Sequence, residues 1–298
     1  MKGILLAGGH GSRLYPITAG VSKQLLPVYN KPMIYYPLSV LMLAGVRDVL
    51  IICSPDSMAG MQKLLRDGSH LGMNITYTLQ EEPRGIADAF ILGADHVGGE
   101  ASALVLGDNI FHGSGFQDLL IRTVKSLEGC TLFGYPVTDP ERYGVASVGK
   151  NGRLLAVEEK PQVPSSNNAI TGLYFYDSDV VEIARDLVPS ARGELEITDV
   201  NQRYVDDGRA SLVELGRGFA WLDAGTYSSL LEAGHFVRTL ANRQGVHVAC
   251  IEEIALRLGY ITPEECYRLG SEMRQSDYGE YLVQVALDLT DSPSGVDS

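Results

Sequence analysis

The alternation of apolar segments most limits what this chain can fold into. Short apolar runs bounded by Gly, Asp or Pro recur at 3–7, 48–53, 74–79, 102–106, 130–137 and 172–176. Apolar residues at helical spacing separate the earlier ones, at 33–44 and 58–65. Strand, helix, strand in this order builds an open α/β sheet, because a parallel return needs a crossover that a helix supplies. After Val137 strands dominate: 145–148 and 154–158 flank Lys150-Asn151-Gly152, whose Asn-Gly pair is a favoured hairpin turn.

Helical patterning resumes at 227–243, where Leu231, Gly234, Val237 and Leu240 form one stripe and Ser229 and Glu232 stand in capping-box order. Such patterns continue to Ala286. The stretch 288–298 is polar with Pro and Gly and is expected to fray. No linker or repeat interrupts the chain, so 1–298 reads as one domain with a core over 1–226, a helical extension over 227–287 and a flexible tail over 288–298.

Lys and Arg number 24 against 37 Asp and Glu, a net charge of -13. That balance argues against a nucleic-acid polymer or an anionic membrane as partner, since such binding needs clustered cations. No apolar run reaches the ~18 residues of a membrane span, and the N-terminus passes straight into a strand, so a cytoplasmic protein is expected. Cys53, Cys130, Cys250 and Cys266 lie far apart, without the spacing of a zinc site or a disulfide framework, and are expected as buried thiols.

The densest local signal is Gly3-Ile4-Leu5-Leu6-Ala7-Gly8-Gly9-His10-Gly11-Ser12-Arg13-Leu14, a strand entering a glycine-rich turn that ends in a cation. Glycines let backbone N–H groups approach phosphate oxygens, and Arg adds a planar fork of donors. Leu14 stands where a dinucleotide fingerprint needs Gly or Ala, and no Gly-Lys-Ser/Thr follows, so neither that fingerprint nor a P-loop is present. A merely tight turn is the other reading. A second cation lies in Ser22-Lys23-Gln24-Leu25-Leu26-Pro27-Val28, where a solvated surface lysine is the ordinary alternative.

Together these two motifs resemble those of the sugar-1-phosphate nucleotidyltransferases. Pro27 to Leu38, Val105 to Asn109, Glu158 to Pro161, Arg192 to Asn201 and Trp221 to Thr226 narrow the resemblance to the glucose-1-phosphate thymidylyltransferases, over Lys2 to about Ala286. The resemblance implies a Rossmann-like open, mostly parallel sheet flanked by helices, with a helical C-terminal extension. It implies transfer of a thymidylyl group from dTTP to glucose 1-phosphate with Mg²⁺, giving dTDP-glucose and pyrophosphate for deoxysugar synthesis, by a homotetramer. Another base or sugar, such as UTP, and a non-catalytic sugar-nucleotide-binding member are the competing readings. An NAD-dependent reductase fits less well, because the glycine fingerprint and a Tyr-x-x-x-Lys pair are both missing.

The sugar phosphate arrives largely as a dianion, its second pKa being about 6, so no general base is needed. Charge is the obstacle: at ~4 Å and an effective dielectric of ~20 each like-charge pair costs about 4 kcal/mol, so cations must converge. By resemblance Arg13 and Lys23 hold the triphosphate beside Leu6, Gly8, Gly9, Gly11 and Gln24, while Lys160 and Arg192 hold the sugar phosphate. Asp108 ends an apolar strand and Asp223 follows Trp221-Leu222, so both reach sheet edges where two hard oxygen ligands suit Mg²⁺. Turn or cap roles are the ordinary alternative for each.

Gln80 can pair with the N3 and carbonyl edge of thymine, with Gly85 admitting backbone to the same edge. Asn109, Tyr143, Gly144, Glu159, Ile170 and Tyr174 resemble the sugar pocket, although Tyr174 also alternates as any half-buried strand residue would. Glu159 and Lys160 can share a face only across a bend or bulge. Three positions depart from the family: Ala224 for Thr, Asp88 for a frequent Gln and His112 for Tyr. Asp88 is expected at a helix N-terminus near Ile86. Gly113, Arg217, Glu253 and Arg257 match positions lining a regulatory nucleotide site.

Overall fold

The computed structural model describes residues 1–9, 11–150 and 152–291. Four strands lie parallel in the spatial order Asn74–Leu79, Asp48–Cys53, Lys2–Ala7, Ser102–Leu106. Three of these match the bounds read from the sequence, and Lys2–Ala7 begins one residue earlier than read. Asn168–Tyr176 then runs antiparallel to Ser102–Leu106 and pairs on its far side with Cys130–Pro136, which is parallel to Ala210–Glu214. The hairpin Gly144–Val148 with Leu154–Glu159 completes the nine-stranded sheet. Its turn residue Asn151 lies outside the described residues.

The chain winds first to one side of Lys2–Ala7 and returns on the other with Ser102–Leu106. That reversal opens a crevice at the carboxyl ends of these two strands, where ligands of open α/β sheets bind. A separate ribbon rises beside it: Asn109–Gly113 pairs antiparallel with Phe219–Asp223, placing Asn109 opposite Asp223.

Each face of the sheet buries its own core. Leu38, Phe111, Phe133 and Trp221 pack on one face together with Ile251, Cys266 and Leu282 of the C-terminal helices, so these helices share the main core. Phe90, Tyr176, Val200 and Tyr204 cover the other. All four cysteines are free and buried. Among the described residues no helix is long and apolar enough to cross a membrane.

Three local expectations are corrected. The capping box of Tyr227–Gln244 is Thr226 with Ser229, not Ser229 with Glu232: the Thr226 hydroxyl accepts from Ser229 N, and the Ser229 hydroxyl accepts from Thr226 N at 3.0 Å. The buried stripe of that helix contains Ala233 and Val237, with Leu230 and Leu240 packed beside them, whereas Leu231 is 60% exposed. Residues 288–291 continue the helix Asp277–Asp291 rather than fraying, and 292–298 lie outside the described residues.

Candidate active site

Two hollows meet at the carboxyl ends of the central strands. One, of about 240 Å³, is lined by Leu6, Gly9, Gly11, Lys23 and Gln24; the other, of about 460 Å³, by Tyr143, Gly144, Glu159, Lys160, Ile170 and Tyr174. Arg13, Leu106 and Asp108 belong to both.

The glycine-rich turn is shaped by contact. Gly11 has φ of 61°, and a Cβ there would lie 2.9 Å from Thr18 Cγ2 and 3.0 Å from Lys23 Cβ. Only glycine adopts that conformation so close to neighbours at little cost. Residue 10 lies outside the described set.

Asp108 and Asp223 are brought together by the ribbon: Asp223 ends its strand opposite Asn109, and Ala224 N donates to Asp108 O at 3.0 Å. Burial opposes ionisation of Asp108, but the Lys23 ammonium at 2.5 Å and the Asn109 amide at 2.9 Å hold its carboxyl below the ordinary range. Asp223 is pushed the other way, by burial and then by the Asp108 charge. Ala224 is fully buried, its methyl in the small core around Val237. Two adjacent carboxylates with opposed shifts are a donor set suited to a hard divalent cation completed by phosphate oxygens. Among the described residues no cluster of three or more His, Cys, Asp or Glu could hold a metal without such help.

Sequence reasoning missed Arg142. Its Nη2 lies 3.6 Å from Asp223 Oδ2, its Nη1 donates to Asp139 at 2.6 Å, and its guanidinium sits 5.3 Å from the Tyr143 ring. The signal was its place directly before Tyr143-Gly144. The Arg13 guanidinium lies across Gly225 from Asp223, within 3.3 Å of where a Cβ would stand. Burial, with the Asp223 charge beside it, pushes the Tyr143 hydroxyl up to about 12.

The bend required between Glu159 and Lys160 exists. Strand Leu154–Glu159 ends, Lys160 takes φ of 42°, and its Nζ folds back to 3.1 Å from Glu159 Oε1. Burial opposes ionisation of Glu159, yet the Thr198 hydroxyl at 2.6 Å and the Lys160 charge keep its carboxyl low. Arg192 donates to Glu196 at 2.8 and 2.9 Å and reaches Glu159 at 3.3 Å, so carboxylates tether it, and it lines neither hollow.

Some residues expected at the substrates also hold the fold together. Asn109 is 3% exposed, and its Oδ1 accepts from Gly172 N at 3.1 Å and Trp221 Nε1 at 2.6 Å, so its amide braces three segments. Gly85, with φ of 106°, must be glycine because a Cβ would lie 2.3 Å from Leu195 O; the close approach is to that backbone. Tyr174 lines the crevice at 4% exposure. Asp88 does open a short helix, Asp88–Leu92, but two residues after Ile86, and its carboxylate accepts from Gln80 Nε2 rather than capping a backbone N–H.

None of the four residues matched to a regulatory site lines either hollow. Helix Tyr35–Leu43 packs against both the strand that ends at Gly113 and the helix that ends at Arg257. Arg257 Nε donates to Glu253 Oε1 at 2.7 Å, and Arg217 is exposed. His112 lies edge-on to Phe236, ring centroids 6.0 Å apart.

A family model described as nucleotidyl transferase matches residues 2–239. A glucose-1-phosphate thymidylyltransferase of Xanthomonas campestris is 57% identical over 96% of this chain and 97% of its own length. That of Mycobacterium tuberculosis is 54% identical over 96% and 99%. A solved structure from Bacillus anthracis, assigned to glucose-1-phosphate thymidylyltransferase and holding sucrose, superposes with a TM-score of 0.74 at 42% identity, covering 80% of this chain and 95% of that one. UDP-glucose pyrophosphorylase with UDP-glucose shares the fold, with a TM-score of 0.68 at 23% identity over 80% and 98% of the two chains.

Proposed function

The chain belongs to the glucose-1-phosphate thymidylyltransferases, enzymes of nucleotidyl transfer, and on that footing we propose that its own substrates are dTTP and glucose 1-phosphate and that it works with Mg²⁺. The observation that carries this reading is the two-lobed crevice joined at Arg13 and Asp108: one lobe offers glycine backbone with Lys23, the other Glu159 with Lys160.

The sugar phosphate enters as a dianion and needs no proton removed. Its oxygen attacks the α-phosphorus of dTTP while the bond to pyrophosphate breaks, the electron pair leaving with the departing oxygen. Arg13 and Lys23 neutralise the triphosphate and then the pyrophosphate. Lys160 and Arg192 seat the incoming phosphate, and Glu159 accepts from sugar hydroxyls. Gln80 reads the base. Positioning and fixed cations are the principal means of catalysis for such a reaction. Asp108 and Asp223 would hold Mg²⁺, which when bound supplies charge neutralisation between the phosphates. The product serves deoxysugar synthesis, and the protein assembles as a homotetramer.

Incubation with glucose 1-phosphate and each nucleoside triphosphate, scored for pyrophosphate across a Mg²⁺ titration, tests the reading. dTTP gives the fastest release, and Asp108→Asn and Asp223→Asn abolish it. Equal rates with UTP, or full activity of either variant at limiting metal, would refute it.

A further inference from the structure

We infer that Asp88 is a positioning residue for nucleobase choice, acting by fixing which way the Gln80 amide points. The inference rests on Gln80 facing the base.

Gln80 follows the strand Asn74–Leu79 and is 6% exposed. Its Nε2 donates to Asp88 Oδ2 at 3.1 Å. Asp88 is 2% exposed, among the described residues its Oδ1 has no hydrogen-bond partner, and Arg84 Nε lies 3.9 Å from it. The helix that Asp88 opens takes no cap from a side chain. The carboxylate therefore has one protein hydrogen bond to offer, and it goes to Gln80.

A carboxylate only accepts, so an amide beside it must present its nitrogen. The amide oxygen is thereby turned away from Asp88. Gln80 Oε1 lies against Gly8, where a built Cβ would come within 2.3 Å of it, and among the described residues no protein donor reaches it. An acceptor held at the glycine-rich turn calls for a ring N–H. Thymine and uracil carry one at N3, whereas cytosine presents a lone pair there. Were the amide free to flip, its nitrogen would meet that lone pair as readily. Asp88 removes the flip, so selection against cytosine comes from an unmatched acceptor pair rather than from added attraction to thymine.

The test measures kcat and KM for dTTP and dCTP at saturating glucose 1-phosphate and Mg²⁺ in the wild type, Asp88→Asn, Gln80→Ala and the double variant, with thermal melts in parallel. Asp88→Asn, whose amide can give or take, is expected to lower the dTTP-to-dCTP ratio of kcat/KM by about tenfold or more, with kcat for dTTP held within about threefold. Gln80→Ala collapses the ratio alone, and adding Asp88→Asn to it changes nothing further. If Asp88→Asn does not fold, Asp88→Ser is read in the same way. Should Gln80→Ala leave the ratio unchanged, the base-contact reading of Gln80 fails and the inference with it. If Gln80→Ala collapses the ratio while the Asp88 variants keep it, or if Asp88→Asn lowers it further without Gln80, the inference alone is overturned.

Discussion

Lys23 Nζ and Asp108 Oδ2 are 2.5 Å apart, so a cation expected on the triphosphate and a carboxylate expected on the metal neutralise one another. Lys23 is 6% exposed, and removing one partner strands the other charge. Lys23→Met should therefore destabilise the fold by roughly 1 to 3 kcal/mol, and adding Asp108→Asn should recover much of the loss. Denaturant melts of the two single variants and the double close the cycle. A double variant no more stable than Lys23→Met would show that the pair is not coupled.

The two lobes make the phosphate contacts separable. Alanine at Lys23, which lines only the first lobe, should weaken dTTP binding, and alanine at Lys160, which lines only the second, glucose 1-phosphate binding, each by about one to two decades, the worth of a charge-assisted contact of roughly 1.5 to 3 kcal/mol. Calorimetric titration with each ligand reads this directly. Equal weakening of both ligands by Lys160→Ala would remove the distinction.

Trp221 is the only tryptophan of the chain and donates to Asn109 at 2.6 Å beside the crevice. Its fluorescence should change when either substrate binds. Asn109→Ala leaves the indole N–H and Gly172 N without their acceptor, so the emission should shift and stability fall by about 1 to 3 kcal/mol. An unchanged spectrum would mean that the hydrogen bond does not define the indole environment.

Lys31 lines a separate cavity of about 570 Å³ with Tyr35, His247 and Tyr278, and is 4% exposed. Burial lowers its amine from 10.5 to about 8, against the raising influence of Cys250 and Glu252. Below pH 8 the amine is protonated in both folded and unfolded chains, and the cost of burying it is constant. Between about 8 and 10.5 the unfolded chain binds the proton that the folded one lacks, so this group's contribution makes stability rise with pH. Lys31→Met should consequently be the more stable protein at neutral pH, by up to about 3 kcal/mol, an advantage that shrinks towards pH 10.5. Melting curves across that range test both the sign and the window.

If Gly113, Arg217, Glu253 and Arg257 form a second nucleotide site, dTDP-rhamnose should inhibit without being fully outcompeted by dTTP. Arg257→Ala should then relieve inhibition while uninhibited turnover stays nearly constant, because effector and substrate are coupled only through the fold. Inhibition that is purely competitive and indifferent to Arg257 would remove the second site.

The strand bounds of 48–53 and 102–106 were legible from nearly continuous apolar runs, and those of 74–79 from Ile75, Tyr77 and Leu79 alternating with polar residues. The cap of the long helix was misplaced because Ser229 suits both a cap and the third helical position, and only the Thr226 backbone geometry decides between them. Leu231 looked like core on spacing alone, yet the neighbouring stripe faces the small core around Ile110 and Ala224. Arg142 escaped because its value lies in reaching Asp223, a partner far away in sequence. The Lys160 bend is invisible to composition, since a positive φ at a lysine has no residue signature.

The ribbon that seats the two carboxylates joins segments 112 residues apart, as the Trp221–Asn109 bond spans. A nascent chain can complete the sheet strands from 2 to 106 while still lacking Asp223, the second carboxylate. If the two carboxylates hold the metal and triphosphate as proposed, that competence arrives only after the segment near 223 has left the ribosome, and an N-terminal fragment that stops short of it should bind neither.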